Sequence, residues 1–246
     1  MSLHLRKIPL SSFCPPILYN LIKYRSIYSP PMQSVYTNSV LATYSQYQED
    51  LILDCIFNSK KEGTYVDIGA NNPDLLSNTK RFYDKGWSGI NIEPTPHLFD
   101  EICKKRLRDI NLNVGIGKSN GELTFYELSA NTLSTFSKEA AIENCRIYNS
   151  SIQKEYLVKI KTLKEIFEKY LSEKSIDFLS VDTEGFELDV LESNDWSIHR
   201  PRAIIIELNQ NENKVVEFLS SISYTLIYNN FTNGIFIDKL GNLNIG

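Results

Sequence analysis

Acidic and amide side chains follow the apolar runs of this sequence at the points where each run stops. The run TYVDIGANN carries Asp67 and Asn71, SGINIEP ends near Glu93, and DFLSVDTEG ends near Asp182 and Glu184. If these runs are parallel strands, their carboxyl ends share one edge of a sheet, where ligands bind at the point of reversed strand order. The sequence therefore predicts a ligand site built from carboxylates and amides.

The loop after the first run favours a ligand without a phosphate group. Gly69 would let the backbone approach a ligand closely, and Asn71 and Asn72 offer amide donors and acceptors, although asparagines here can also cap a helix. The loop is neither G-x-G-x-x-G nor a P-loop with its lysine, and both of those need successive glycines to wrap phosphate oxygens. A dinucleotide is therefore a poor candidate ligand.

The next two runs offer partners for a nucleoside. Glu93 can accept two hydrogen bonds from a ribose diol, and Pro94 ends its strand. Gly115 and Gly117, at the end of INLNVGIG, would leave room for a flat adenine, or they simply form a turn.

Carboxylates after the fourth and fifth strands are candidates for catalysis. Asp182 is the best candidate for a catalytic acid or base, since a carboxylate after a buried strand is costly unless it binds something or is solvated. Glu184 could orient a substrate hydroxyl or serve the N-terminus of the next helix, and we assign the helix role to Glu187. Asp182, Glu207 and Asn209 together would suit Mg²⁺, or they could bind substrate directly.

Strands and helices alternate along most of the chain. Strands are predicted over TYVDIGA, SGINIEP, INLNVGIG, GELTFYEL, DFLSVDTEG, AIIIELN, YTLIYNN and GIFIDK. Helices are predicted over SQYQEDLILDCIF, residues 75–85, HLFDEICKKRL, TLKEIFEKYL, FELDVLES and NKVVEFLSSI, whereas residues 129–160 give no assignment. Continuous apolar strands indicate an α/β fold, a mostly parallel seven-stranded sheet with helices on both faces. A Thr-Asn-Gly turn predicts a C-terminal antiparallel hairpin.

Composition excludes several classes of function. The 246 residues are 42% hydrophobic and 23% charged, with a net charge of −4, so we expect no nucleic-acid partner. Four scattered cysteines argue against a zinc site and for a reducing compartment. Without a secretory signal or an apolar run of about 20 residues, the sequence predicts a cytoplasmic protein with no transmembrane segment.

The chain divides into an extension and one domain. Residues 1–43 contain five prolines and the apolar piece ILYNLIKY, which could pack on the domain, contact a substrate, partner or membrane, or stay poorly ordered. Residues 44–246 are the expected catalytic domain.

The ordered set of motifs resembles a known family. From about Tyr44 to Lys239, SQYQED, YVDIGANNP, SNT, GWSGINIEP, LST and FLSVDTEGFE followed by RPRAIIIELN resemble the FkbM-type methyltransferases. These are S-adenosylmethionine-dependent enzymes of the Rossmann-like class I fold. The family often has glycine where this chain has Gln48.

The resemblance implies a site for S-adenosylmethionine. It makes Asp67, Gly69, Ala70 and Asn71 the loop beneath the methionine part of the cofactor, and Glu93 the ribose-binding acid. The candidate cofactor set also includes Gln46, Asp50, Asn78, Pro94 and Gly115, with Ser77 and Thr79 lining the site or capping its helix.

The function implied is O-methylation of a hydroxyl on a sugar, glycolipid, polysaccharide or natural product. Asp182 would be the base and Glu184 its assistant, with a divalent metal such as Mg²⁺ as an optional cofactor. A nucleotide-linked oxidoreductase and a non-catalytic module binding a glycan or a protein stay open as alternatives. Acceptor specificity is expected in residues 1–43 and 129–160.

Overall fold

The structure is a computed structural model that describes residues 43–58, 60–171, 175–208 and 212–241. The helices are α1 (Glu49–Ile56), α2 (Lys80–Asp84), α3 (Pro96–Lys105), α4 (Lys138–Tyr148), α5 (Leu163–Tyr170), α6 (Glu187–Glu192) and α7 (Glu212–Ser221). The strands are β1 (Thr64–Ile68), β2 (Ser88–Ile92), β3 (Ile110–Leu112), β4 (Gly115–Ile116), β5 (Gly121–Leu128), β6 (Ile152–Lys161), β7 (Phe178–Val181), β8 (Ala203–Glu207), β9 (Tyr224–Asn229) and β10 (Asn233–Asp238).

Seven strands form the main sheet in the order β3-β2-β1-β7-β8-β10-β9. Neighbours from β3 to β8 run parallel, whereas β10 runs antiparallel to both β8 and β9. The strand order reverses between β1 and β7, which is where a doubly wound sheet opens a crevice for ligands. The predicted Rossmann-like class I fold is confirmed.

The strands of the main sheet are buried on both faces. Val66 and Ile68 of β1 belong to one core cluster with α5 and α7, while Tyr65 packs in a second cluster with Phe178 and α1. Successive side chains of a strand point to opposite faces, so one apolar run supplies both cores. This burial on both faces explains why the strands are continuous apolar runs in the sequence.

A second sheet of three strands, in the order β4-β6-β5, stands beside the main one. The prediction of a single strand over INLNVGIG is wrong, since β3 joins the main sheet and β4 joins the small one. Between them, Asn113 donates from Nδ2 to the carbonyl oxygens of Glu93 and Pro94, at 2.8 and 3.0 Å. Residues 129–160, which gave no assignment, contain α4 and most of β6.

Two other predicted boundaries differ from the structure. The helix predicted over residues 75–85 is only α2, because the preceding segment is irregular, with left-handed φ angles at Asn71 and Leu76. The turn of the terminal hairpin covers residues 230–232, with Asn230 Oδ1 accepting from the amides of Thr232 and Asn233. Across the described ranges, no helix has the length and apolarity needed to cross a bilayer.

Candidate active site

A cavity of about 400 Å³ opens at the carboxyl edge of the main sheet, beside the reversal of strand order. One wall comes from the loops after β1, β2 and β7, and the facing wall from the small sheet and the residues before α4. The lining includes Asp67, Gly69, Glu93, Gly115, Leu133, Phe136, Asp182, Glu184, Glu207 and Asn233. A cavity of this size holds one drug-sized ligand.

The loop after β1 is fixed by contacts within the protein. Asp67 Oδ2 accepts a 2.8 Å hydrogen bond from Thr79 Oγ1, and burial raises the pKa of the Asp67 carboxyl. Gly69 has a φ of 76°, and a Cβ there would lie 1.9 Å from the carbonyl oxygen of Asp182. The glycine is therefore required by the close approach of the neighbouring loop, a packing reason that the sequence did not reveal.

Glu93 lines the cavity next to this loop. Its two carboxylate oxygens accept 2.8 Å hydrogen bonds from the backbone amides of Asn71 and Thr95. A carboxylate has about four acceptor positions, so Glu93 can still accept a hydrogen bond from a ligand. Burial raises the pKa of the Glu93 carboxyl, while hydrogen bonds from the amide and side chain of Thr95 and from the Asn71 amide oppose that effect.

Three carboxylates lie close together after β7 and β8, across the reversal of strand order from Glu93. Oxygen atoms of Asp182, Glu184 and Glu207 lie within 4.8 Å of one another. Desolvation, followed by repulsion from Glu187, raises the pKa of Asp182 to about 7. Desolvation and repulsion from Asp182 raise the pKa of Glu184 to about 8 and also raise that of Glu207. The three oxygens could also hold a hard cation.

Glu184 and Glu187 have separate roles in the loop before α6. Glu187 Oε1 accepts from the amides of Thr183 and Gly185 at 3.1 and 3.0 Å, so this carboxylate serves the loop that starts the helix, as expected. Glu184 instead faces the cavity from a left-handed backbone with φ of 52°. Asn144 of α4 donates from Nδ2 to Glu184 Oε2 at 3.3 Å and thereby joins the two walls.

The small sheet contributes an aromatic surface to the cavity. A Cβ on Gly115 would lie 2.4 Å from the Phe136 ring, so this glycine makes room for a phenylalanine. The sequence had left open room for adenine or a plain turn. The Phe136 ring lies 4.8 Å from the Phe125 ring and 5.7 Å from the Phe186 ring, between centroids. Phe125 and Phe136 line the cavity, so part of its wall is aromatic.

Most of the predicted residues line the cavity together. They are Gln46, Asp67, Gly69, Ala70, Asn71, Ser77, Asn78, Glu93, Pro94, Gly115, Asp182, Glu184 and Glu207. Asp50 does not line it: its fully buried carboxylate accepts from Thr43 Oγ1, Ser45 Oγ and Arg81 Nε. Asn209 lies outside the described residues.

Several lining residues were not predicted. Asn131, Thr132, Leu133 and Phe136 come from the stretch without an assignment, and Thr232 and Asn233 come from the terminal hairpin. Asn233 Nδ2 donates to the buried Glu49 Oε1, 184 residues away in sequence. No local pattern signals such a contact, although the LST motif does mark Leu133 and Ser134.

Comparisons with known proteins bear on the same region. The family model of the methyltransferase FkbM domain matches residues 67–231. The chain belongs to this family. A crystal structure of methyltransferase FkbM from Methylobacillus flagellatus KT is similar, with 13% identity and a TM-score of 0.49. The match covers 93% of this chain but 56% of that one. Curated protein sequences give no match.

Membership in the FkbM family indicates a methyltransferase. Membership also helps to explain the backbone at Gln48, a position where the family often has glycine. Gln48 has a φ of 72°, a left-handed conformation that glycine adopts without strain, so this chain keeps the glycine backbone with a longer side chain.

Proposed function

We propose that this protein transfers a methyl group from S-adenosylmethionine to a hydroxyl oxygen of a sugar, glycolipid, polysaccharide or natural product. The observation that carries the proposal is the pairing of Glu93 with Asp182 and Glu184 around one cavity at the sheet reversal. A diol-binding acid suits the ribose of the cofactor, and a proton acceptor suits the hydroxyl that is methylated.

The residues fit this cofactor by their chemistry. Glu93 lines the cavity and, beyond the two backbone amides that it accepts from, has acceptor capacity left for a ribose hydroxyl. Asp67 and the backbone of residues 69–71 would hold the methionine part, and the loop is not built to wrap phosphate. When bound, the cofactor supplies an electrophilic methyl group.

Asp182 is the base in this proposal. Its pKa of about 7 places the carboxyl near neutrality, where a base can both be ionised and hold a proton strongly. It would accept the proton of the acceptor hydroxyl while Glu184, held by Asn144, orients the same hydroxyl. General-base assistance of this kind accelerates a reaction by roughly 10²–10⁴-fold.

A divalent cation would change the role of Asp182. Bound between Asp182, Glu184 and Glu207, it would lower the pKa of the acceptor hydroxyl directly. Asp182 would then be a metal ligand, and the acidified hydroxyl would lose its proton to water.

Calorimetric titration with S-adenosylmethionine and S-adenosylhomocysteine, each with Mg²⁺ or EDTA, tests the proposal. We expect micromolar binding that Glu93→Ala weakens by more than about tenfold, the cost of losing hydrogen bonds to a charged group. Glu122→Ala, which removes an exposed glutamate of β5, is the matched control. If the folded protein binds neither compound, the proposed function is wrong.

A further inference from the structure

The mouth of the cavity carries exposed apolar side chains. Leu75, Leu76 and Tyr148 line the cavity and are 43%, 54% and 58% exposed. Phe231 is 91% exposed and directly precedes Thr232, another lining residue. Single exposed apolar residues are ordinary on a protein surface, but three of these line one cavity and the fourth is the chain neighbour of a lining residue. We call them the apolar rim.

Two residues of the apolar rim adopt a backbone that their side chains disfavour. Leu76 has a φ of 56° and Phe231 a φ of 73°, both in the left-handed region that bulky residues rarely enter. A turn with no other task would have asparagine or glycine at such a position. An exposed side chain contributes little packing energy to offset the strain of its backbone. Strain that folding does not explain favours a role in binding.

The segments that carry the apolar rim are held in place. Asn229 Oδ1 accepts from the Phe231 amide at 2.7 Å, and Asn72 Oδ1 accepts from the Leu75 amide at 3.0 Å. Arg106 Nη2 also donates to the carbonyl oxygen of Pro73 at 2.6 Å. The apolar side chains are therefore presented at fixed places beside the cavity.

The size of the cavity limits where an acceptor can lie. Pockets for a single drug-sized ligand measure roughly 300–1,000 Å³, and this cavity measures about 400 Å³. A cofactor such as S-adenosylmethionine would take most of that space. The bulk of any acceptor must then lie at the mouth, against the apolar rim, with only its reacting hydroxyl inside.

We infer that the acceptor is an amphiphilic glycoside, a hydroxyl-bearing sugar attached to an apolar aglycone. The sugar hydroxyls would meet the carboxylates of Asp182 and Glu184 and the polar lining residues Asn131 and Ser134. The aglycone would cover the apolar rim. This inference rests on the proposed function and narrows its acceptor, because a polysaccharide offers the rim only the C–H faces of its rings and no alkyl or aryl group.

Alkyl glycosides of increasing chain length test the inference. Methyl, hexyl and octyl β-D-glucoside, all below their micellar concentrations, are titrated into protein saturated with S-adenosylhomocysteine. We expect roughly 4- to 15-fold tighter binding for octyl than for hexyl, since each buried methylene contributes up to about fourfold. Methyl glucoside should bind most weakly.

Variants of the apolar rim separate a binding role from a folding role. Leu76→Asn and Phe231→Asn place a residue that tolerates left-handed backbone at both positions, so the thermal midpoint should be unchanged or higher. We expect both variants to lose the dependence on chain length. Leu107→Asn is the control, because Leu107 is 79% exposed but neither lines the cavity nor adjoins a lining residue in the sequence.

Two results would overturn the inference while leaving the proposed function intact. One is S-adenosylhomocysteine binding with equal affinity for the hexyl and octyl glucosides. The other is a loss of chain-length dependence in Leu107→Asn equal to that in the rim variants. Failure to bind S-adenosylhomocysteine at all would instead remove the proposed function, and the inference with it.

Discussion

Asp182, Glu184 and Glu207 repel one another because the fold places all three carboxylates at one sheet edge, with oxygen atoms within 4.8 Å of one another. Glu187 adds repulsion to each of the three, and Asp67, Glu49 and Glu93 add to that on Asp182. The folded protein therefore holds protons that the unfolded chain would release above about pH 4.5. A cluster of this kind lowers stability near neutral pH, and such a cost is typical of functional sites.

Stability should therefore fall as the pH rises from about 5 to 8. The folded pKa values of Asp182 and Glu184, about 7 and 8, lie above their unfolded values, so the native state binds more protons throughout this window. Asp182→Asn should flatten the fall, stabilise the protein at pH 8 and abolish methyl transfer while sparing cofactor binding. Urea unfolding at several pH values measures the first two effects.

An exposed acid provides the control for this experiment. Asp100→Asn, on the surface of α3, should leave the slope of stability against pH unchanged. Exposed acids with lowered pKa values, such as Glu143 and Glu165, titrate below the window and do not disturb it. Equal slopes in the wild type and Asp182→Asn would show that the cluster does not control stability.

At the level of elements, the sequence predicted the main sheet well and the small sheet poorly. The strands of the main sheet are buried on both faces, so apolarity alone reveals them. Strand β6 fully buries only Val158 and Ile160, Ile152 and Tyr156 are partly buried, and its other residues are charged, polar or exposed. Helix α4 buries Ala140, Ala141 and Asn144, which form no apolar stripe that a pattern could detect.

Gly69, in the turn after β1, allows a direct test of how closely this turn packs against the loop after β7. Gly69→Ala should destabilise the protein by about 1–3 kcal/mol more than Gly86→Ala, because only the first places a Cβ against the Asp182 carbonyl. Both glycines have positive φ, at 76° and 103°, so the conformational cost of about 1–2 kcal/mol is shared. Urea unfolding measures the difference, and equal losses would mean that the loops separate without cost.

At the level of the whole molecule, the cavity joins parts that lie far apart in sequence. The half formed by the loops after β1, β2 and β7 could be predicted, since acids at strand ends must gather at one edge. The other half depends on how the small sheet and the hairpin pack, as with Asn144 on Glu184 and Asn233 on Glu49. Asp50 shows the limit of resemblance alone, because its carboxylate is used inside the fold.

A ligand in this cavity should therefore protect both walls from hydrogen exchange. We expect S-adenosylhomocysteine to slow exchange in residues 69–79 and also in residues 131–148, whereas α7, which does not line the cavity, should be unchanged. Asn144→Ala removes the side-chain link between α4 and Glu184, so protection of residues 131–148 should fall while that of residues 69–79 persists. Protection confined to residues 69–79 in the wild type would mean that the cofactor contacts only the main sheet. In that case the small sheet and α4 would contact the acceptor and not the cofactor. Substitutions in α4 would then be the first to make in order to change acceptor specificity.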